Sequence, residues 1–221
     1  RSSLVIAGSN YVFDHINKNY GNLINNKKRL LVIFRGINTQ YFDNSNITND
    51  KVQNIYSTLN LSSEKIKILL PGRLTRWKGQ EMFIESLNLL KKKYNKENFQ
   101  AIILGSHQGR TVYYKKLISL IEKLGLKRHI FFINHIKEMP VAYYIADIVV
   151  SSSIEPEAFG RVSVEAQSMR RPILASNHGG SKETIINGKS GFLFDNNNPE
   201  SLAENLNKLI EMDKDKLQSI G

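Results

Sequence analysis

At 221 residues, 41% hydrophobic and 23% charged, the chain is long enough for one full core and part of another, and its composition is ordinary for a soluble globular protein. The absence of cysteine excludes disulfides and thiolate metal sites and is compatible with a reducing cytoplasm, while no apolar stretch reaches membrane-spanning length and no signal-peptide pattern is visible. The net charge of +11 reads first as solvated faces, such as Lys27-Lys28-Arg29 and Lys91-Lys92-Lys93, and second as peripheral contact with an anionic membrane; no nucleic-acid partner is expected, because neither aromatic-basic stacking motifs nor zinc-finger spacing is present.

In chain order, Leu4-Val5-Ile6-Ala7 predicts a strand, residues 9–20 a helix closed by Gly21, and residues 30–34 a second strand. One helix between two strands cannot bury itself, so residues 1–43 are expected to be the tail of a domain whose front is absent. Residues 44–63 carry the polar run NSNITND and little periodicity, which predicts an interdomain linker. The second domain, residues 64–221, then begins with a strand at 66–70, broken by Pro71-Gly72. A helix at 80–92 places Phe83, Leu87 and Leu90 on one face. Residues 99–104 predict a strand closed by Gly105, and residues 113–124 a helix with Leu117, Leu120, Ile121 and Leu124 inward. Residues 130–133 are a strand, and residues 139–146 a short helix with Pro140 near its start. Ile148-Val149-Val150 ends a buried strand, a helix opens at Arg161, and Pro172-Ile173-Leu174-Ala175 and Phe192-Leu193-Phe194 are the last strands. Asn198 caps a final helix with Pro199 as its first residue. This alternation predicts an α/β fold, a Rossmann-like parallel sheet with helices on both faces.

Two loops carry the chemistry. In open parallel sheets ligands bind beyond the carboxyl ends of the strands, which is where residues 151–180 place Glu157 and Glu165 around a Phe159-Gly160 turn. Gly160 lets backbone approach a ligand closely, and the amides of Arg161 and Val162 open a helix whose positive end favours an anion. The loop is therefore suited to a phosphate with hydroxyl-rich groups on either side, which the two carboxylates can grip. By themselves, two glutamates at this spacing also read as a surface loop and helix. In the turn at 72–79, Arg73 and Lys78 stand where two long cations could converge on a diphosphate, the guanidinium gripping two oxygens and the ammonium supplying a mobile point charge.

The stretch around Glu157, Phe159, Gly160 and Glu165 resembles the motif of retaining GT-B glycosyltransferases of family 4, the glycosyl transferases group 1, which carry two glutamates separated by seven residues with Phe-Gly just after the first. Four further stretches match in order: VIAGSNYVFDHINKNY from Val5, VIFRGINTQYF from Val32, LPGRLTRWKG from Leu70 and IILGSHQG from Ile102. The resemblance implies one half of a two-domain architecture, with a donor-binding domain at 64–221 lacking its last helices and the end of an acceptor domain at 1–43. It implies sugar transfer from a nucleoside-diphosphate sugar to a glycan or glycolipid acceptor with retention of configuration, in cell-envelope polysaccharide or glycolipid synthesis. It also implies a cytoplasmic protein, peripheral at the inner membrane face or not. Carried over residue by residue, Arg73, Lys78 and Glu157 serve the reacting centre. Gly72, Gly105, Phe159, Gly160, Arg161, Val162 and Glu165 hold the donor, with Glu157 on the transferred sugar and Glu165 on the ribose. The leaving phosphate is implied to take the acceptor's proton, and no metal or cofactor is expected. The alternative is a non-catalytic nucleotide-sugar-binding relic or partner-binding module of the same fold.

This chain departs from the family pattern at three places. Arg35-Gly36-Ile37-Asn38 stands for Asn-Gly-Val-Asp, Asn134 for a glycine near the base pocket, and Arg170 for a glycine at a helix end, where a left-handed backbone would not suit it. Other signals fail. Asp213-Lys214-Asp215 is an Asp-x-Asp in a Lys-rich stretch rather than at a strand end. Gly188-Lys189-Ser190 lacks the first P-loop glycine, because position 183 is Glu183. His107, His135 and His178 show no ligand spacing. His178-Gly179-Gly180 lies past a strand end; a loop or hydrogen-bonding histidine is the first reading, and a part in shaping the acceptor side the alternative.

Overall fold

In the computed structural model, residues 4–24, 29–213, 216–217 and 220 are described. Lys27-Lys28 and the Lys214-Asp215 part of the Asp-x-Asp signal lie outside them. Two short strands, β1 (Val5–Ala7) and β2 (Leu30–Val32), pair in parallel as a sheet of their own, joined by helix α1 (Asn10–Tyr20). Gly21 does not turn left-handed. Its φ is −54°, and a 3-10 turn carries the chain on through Leu23.

The expected polar linker contains a helix, α2 (Asn49–Leu59). Val52, Ile55, Tyr56 and Leu59 recur at the 3.6-residue period and pack on the main domain, a pattern that the Asn-, Ser- and Asp-rich residues around them mask. α2 ends at Asn60, which takes the left-handed conformation that asparagine tolerates.

The main domain is a six-stranded, all-parallel sheet of β3 (Ile66–Pro71), β4 (Phe99–Leu104), β5 (Ile130–Ile133), β6 (Ile148–Ser151), β7 (Ile173–Ser176) and β8 (Phe192–Phe194). Its spatial order is β5-β4-β3-β6-β7-β8. Alternate residues feed opposite faces, so Ile68, Leu70, Ala101 and Ile103 face one core while Leu69, Ile102 and Leu104 face the other. The first core is covered by α3 (Gln80–Tyr94), α4 (Thr111–Lys123) and α8 (Pro199–Ile210); the second by α5 (Met139–Ile145), α6 (Arg161–Ser168) and α2. A four-residue helix, α7 (Ser181–Thr184), follows Gly180 and has no sequence period long enough to announce it. The order reverses between β3 and β6, so the crevice beyond their carboxyl ends is the switch point at which this topology binds ligands.

Arg170 adopts the backbone that its side chain disfavours. Its φ is +50°, and Arg171 N–H bonds Ala166 C=O at 2.9 Å while its own N–H bonds Gln167 C=O at 2.9 Å, the bond pair of a left-handed helix end.

Candidate active site

The 72–79 turn leaves β3 and is laced to the end of β6. Ser152 Oγ donates to the carbonyls of Lys78 (3.1 Å) and Gly79 (3.2 Å), and Ile154 N–H donates to Trp77 C=O at 2.8 Å. A Cβ on Gly79 would stand 1.9 Å from Ser152 C=O, and Gly79 itself is left-handed with φ +71°, so only glycine allows the two switch-point loops to meet this closely. The buried Gln80 steadies the same turn, its Nε2 donating to Arg73 C=O at 2.9 Å while its Oε1 accepts from Tyr113 OH at 3.2 Å.

Lys78 forms an ion pair with Glu157, each side chain 15% exposed. The ammonium also lies over the Trp77 ring, 4.4 Å from its centroid. Glu157 Oε1 accepts a second bond from Ser153 Oγ at 2.6 Å, and Ser153 C=O is bonded by His178 Nε2 at 2.7 Å, which gives that histidine a structural contact. The Glu157 backbone is held too, its C=O accepting from Gly180 N–H at 2.7 Å.

Glu165, 7% exposed on α6, accepts from Tyr143 OH at 2.7 Å on one oxygen and from Arg161 Nη2 at 2.8 Å on the other. Burial, and then the neighbouring Glu165 charge, push the Tyr143 hydroxyl well above its ordinary pKa, so it remains a neutral donor. The Tyr143 ring meets Phe42 edge-on at 5.9 Å, and Ser168 Oγ donates to Phe42 C=O at 2.7 Å.

These elements border a cavity of about 410 Å³ lined by Gly72, Arg73, Gly105, Arg161, Val162 and Glu165, with Asn134, His135 and Tyr143 among its other walls. The Lys78 stem passes over Gly72, 3.5 Å from where a Cβ would be, which brings the Lys78–Glu157 pair to the cavity's edge. An open cleft of this size, with a cation, a carboxylate and a helix start converging on it, suits a phosphorylated ligand with hydroxyl groups. Residues 52–220 match the family of glycosyl transferases group 1. The chain belongs to that family.

Two solved structures align with nearly the whole glycosyltransferase chain: a glycosyltransferase from Rickettsia africae (33% identity, TM-score 0.90, 99% of this chain and 56% of that one) and Anabaena HepE in complex with UDP-glucose (28%, TM-score 0.87, 99% and 57%). The Staphylococcus aureus capsular polysaccharide biosynthesis glycosyltransferase CapM is 26% identical over 202 residues, 90% of this chain and 50% of that protein. The chain spans between about a third and a half of the length of the curated relatives it matches.

Of the residues singled out in the sequence, the structure gathers Gly72, Arg73, Gly105, Arg161, Val162 and Glu165 on one cavity and places Lys78 and Glu157 together beside it. Gly160 opens α6, and Phe159 is buried against Gly180, whose Cβ would stand 2.5 Å from the Phe159 Cα. His135 lines the cavity, whereas His107 lies against Tyr114 with ring centroids 5.7 Å apart. Sequence reasoning missed Tyr143, Ser153 and Gln80; the one available signal was a tyrosine pair inside the apolar MPVAYYI helix. No helix among the described residues is long and apolar enough to cross a membrane.

Proposed function

We propose that this glycosyltransferase moves a sugar from a nucleoside-diphosphate sugar to a glycan or glycolipid acceptor with retention of configuration, in cell-envelope polysaccharide synthesis. The observation that carries the proposal is the pairing of Lys78 with Glu157 at the sheet's switch point, on the edge of the cavity that holds Arg73 and Glu165. In this reading Glu165 grips the ribose, Arg73, Lys78 and the α6 amides of Arg161 and Val162 hold the diphosphate, and Glu157 binds the transferred sugar. Gly72 and Gly105 keep the strand ends flat enough for the nucleotide, and Phe159 and Gly160 shape the sugar side. UDP-sugars are the first donors to try, since HepE, similar over the same cavity-forming chain, was solved with UDP-glucose. CapM's part in capsular polysaccharide biosynthesis supports an envelope glycan as acceptor.

In the transfer, the bond from the anomeric carbon to the diphosphate oxygen breaks as the acceptor oxygen bonds the same carbon on the same face, and the acceptor proton passes to the leaving phosphate. The protein's part is electrostatic. Arg73 and Lys78 neutralise the charge that grows on the leaving group, and Lys78, paired with Glu157 before the donor arrives, exchanges part of that bond for the phosphate. The residues 1–43, with their separate β1-β2 sheet and exposed Ile6, Leu31, Ile33 and Phe34, are assigned to the acceptor-binding half, residues 44–63 to the connection and residues 64–221 to the donor half.

A thermal-shift screen of nucleoside diphosphates and their sugars tests the donor, because a ligand that binds the folded state raises its stability. Lys78→Ala and Glu165→Ala should each weaken the stabilising ligand by about ten- to a hundredfold, the weight of a charged hydrogen bond. Salt-sensitive DNA binding with both substitutions silent would remove the donor reading. Anomeric configuration of the product, read by NMR, decides retention.

A further inference from the structure

The start of α1 is held from the far side of the chain. Its first amides are all satisfied: Asn10 N–H and Tyr11 N–H donate to the two carboxylate oxygens of Glu183 at 2.8 and 2.6 Å, Asn10 Nδ2 adds a third bond at 2.9 Å, and Val12 N–H donates to Ser9 Oγ at 3.1 Å. α1 has no acidic residue in its own first turn and no buried residue along its length, so the anion its positive end favours comes from α7 and apolar packing does little to hold it. Ser9 is fully buried, and its hydroxyl donates to Ala158 C=O at 2.5 Å, inside the loop between Glu157 and Gly160. Glu183 stands three residues past Gly180, which bonds the Glu157 carbonyl and packs on Phe159 too closely for any side chain. Glu157, Ala158 and Phe159 are thus each held by either Ser9 or the turn that leads into Glu183.

We infer that Glu183, with Ser9, is a positioning residue that docks the acceptor-side helix α1 onto the sugar-gripping loop and thereby sets Glu157 for the transferred sugar. The inference rests on the donor reading above. Three N–H groups face Glu183, and only a carboxylate accepts at both oxygens; glutamine would turn an NH₂ donor toward one of them while keeping size and shape. The nucleotide side has holds of its own, Glu165 to Tyr143 of α5 and Gly105 after β4, and α6 meets α7 through Gln167 Nε2 and Thr184 C=O rather than through the Glu183 side chain, so releasing the dock loosens the sugar and spares the nucleotide.

The test titrates UDP, UDP-glucose, GDP and GDP-mannose against the wild type, Glu183→Gln and Ser9→Ala, and follows amide exchange at residues 10–12. Glu183→Gln should speed exchange at Asn10 and Tyr11 and Ser9→Ala at Val12. Each should weaken the bound sugar nucleotide by about tenfold while leaving its bare nucleoside diphosphate within about twofold, a fraction of a charged hydrogen bond being transmitted. Unchanged exchange overturns the docking, and faster exchange with an unchanged ratio of sugar-nucleotide to nucleotide affinity overturns the positioning role. A wild type that binds none of the four overturns the donor reading itself, a failure recognisable because it precedes any substitution.

Discussion

Glu157 and Glu165 are eight residues apart and are held in different ways. Glu157 stands on a loop, its charge met by the equally shielded Lys78 and by a serine hydroxyl. Glu165 stands on a helix, its charge met by a buried neutral phenol and by Arg161, whose side chain is 63% exposed. The first is a pair in which each charge needs the other; the second is a carboxylate fixed by a donor that carries no charge, with a cation free to leave for a ligand. A phosphate can therefore compete for Lys78 or Arg161 without disturbing Tyr143, and the two glutamates should fail differently when their partners are cut away.

The largest effect is expected at the loop. Lys78→Ala strands a shielded carboxylate and should cost about 3 kcal/mol in urea unfolding, whereas Lys78→Ala combined with Glu157→Gln should recover much of that loss because no charge is left uncompensated. Equal losses in the single and double variants would break the contrast. At the helix, Tyr143→Phe keeps the ring against Phe42 but leaves one Glu165 oxygen without its donor, for about 2 kcal/mol by the same measurement and weaker nucleotide binding.

The same substitution has a pH signature. The folded pKa of Tyr143 lies above its ordinary value near 10, so the unfolded chain releases that proton first and stability is lost as pH rises above about 10. Tyr113, also pushed up by burial and then by Glu81, acts in the same direction. Tyr143→Phe should therefore flatten the alkaline limb of the stability profile without abolishing it.

At the far end of the helix that carries Glu165, Arg170→Gly should stabilise by about 1 kcal/mol, the cost of a left-handed side chain, with nucleotide affinity unchanged. Smallest in stability is Arg161→Ala, an exposed pair worth less than about 0.5 kcal/mol, which should nonetheless weaken nucleotide binding. Stability and affinity moving together at Arg161 would place it with Lys78 and erase the distinction.

The strands and helices from Ile66 onward were legible because long apolar runs and caps such as Asn198 act locally, whereas the order β5-β4-β3-β6-β7-β8 was not, because connection rules narrow the possible orders without choosing one. α2 was hidden by polar neighbours, and α7 is too short to have a period. The two glutamates were visible through the Phe-Gly motif they share with the family rather than through their spacing alone, and the unsuitability of a left-handed arginine at 170 was visible too. Their partners were not. Tyr143 meets Glu165 across 22 residues of chain, and Glu183 meets Asn10 across 173, so nothing local announces either bond. In the sequence Glu183 stands out only as the residue that spoils a P-loop.

The most direct measurement is a crystal structure of the protein soaked with a nucleoside-diphosphate sugar that stabilises it. The diphosphate should lie within hydrogen-bonding distance of Arg73 and Lys78, with the ribose hydroxyls on Glu165 and the sugar on Glu157. A nucleotide seated elsewhere, in the small hollow between α2 and α5 for example, with the Lys78–Glu157 pair and the cavity beside it untouched, would contradict the account.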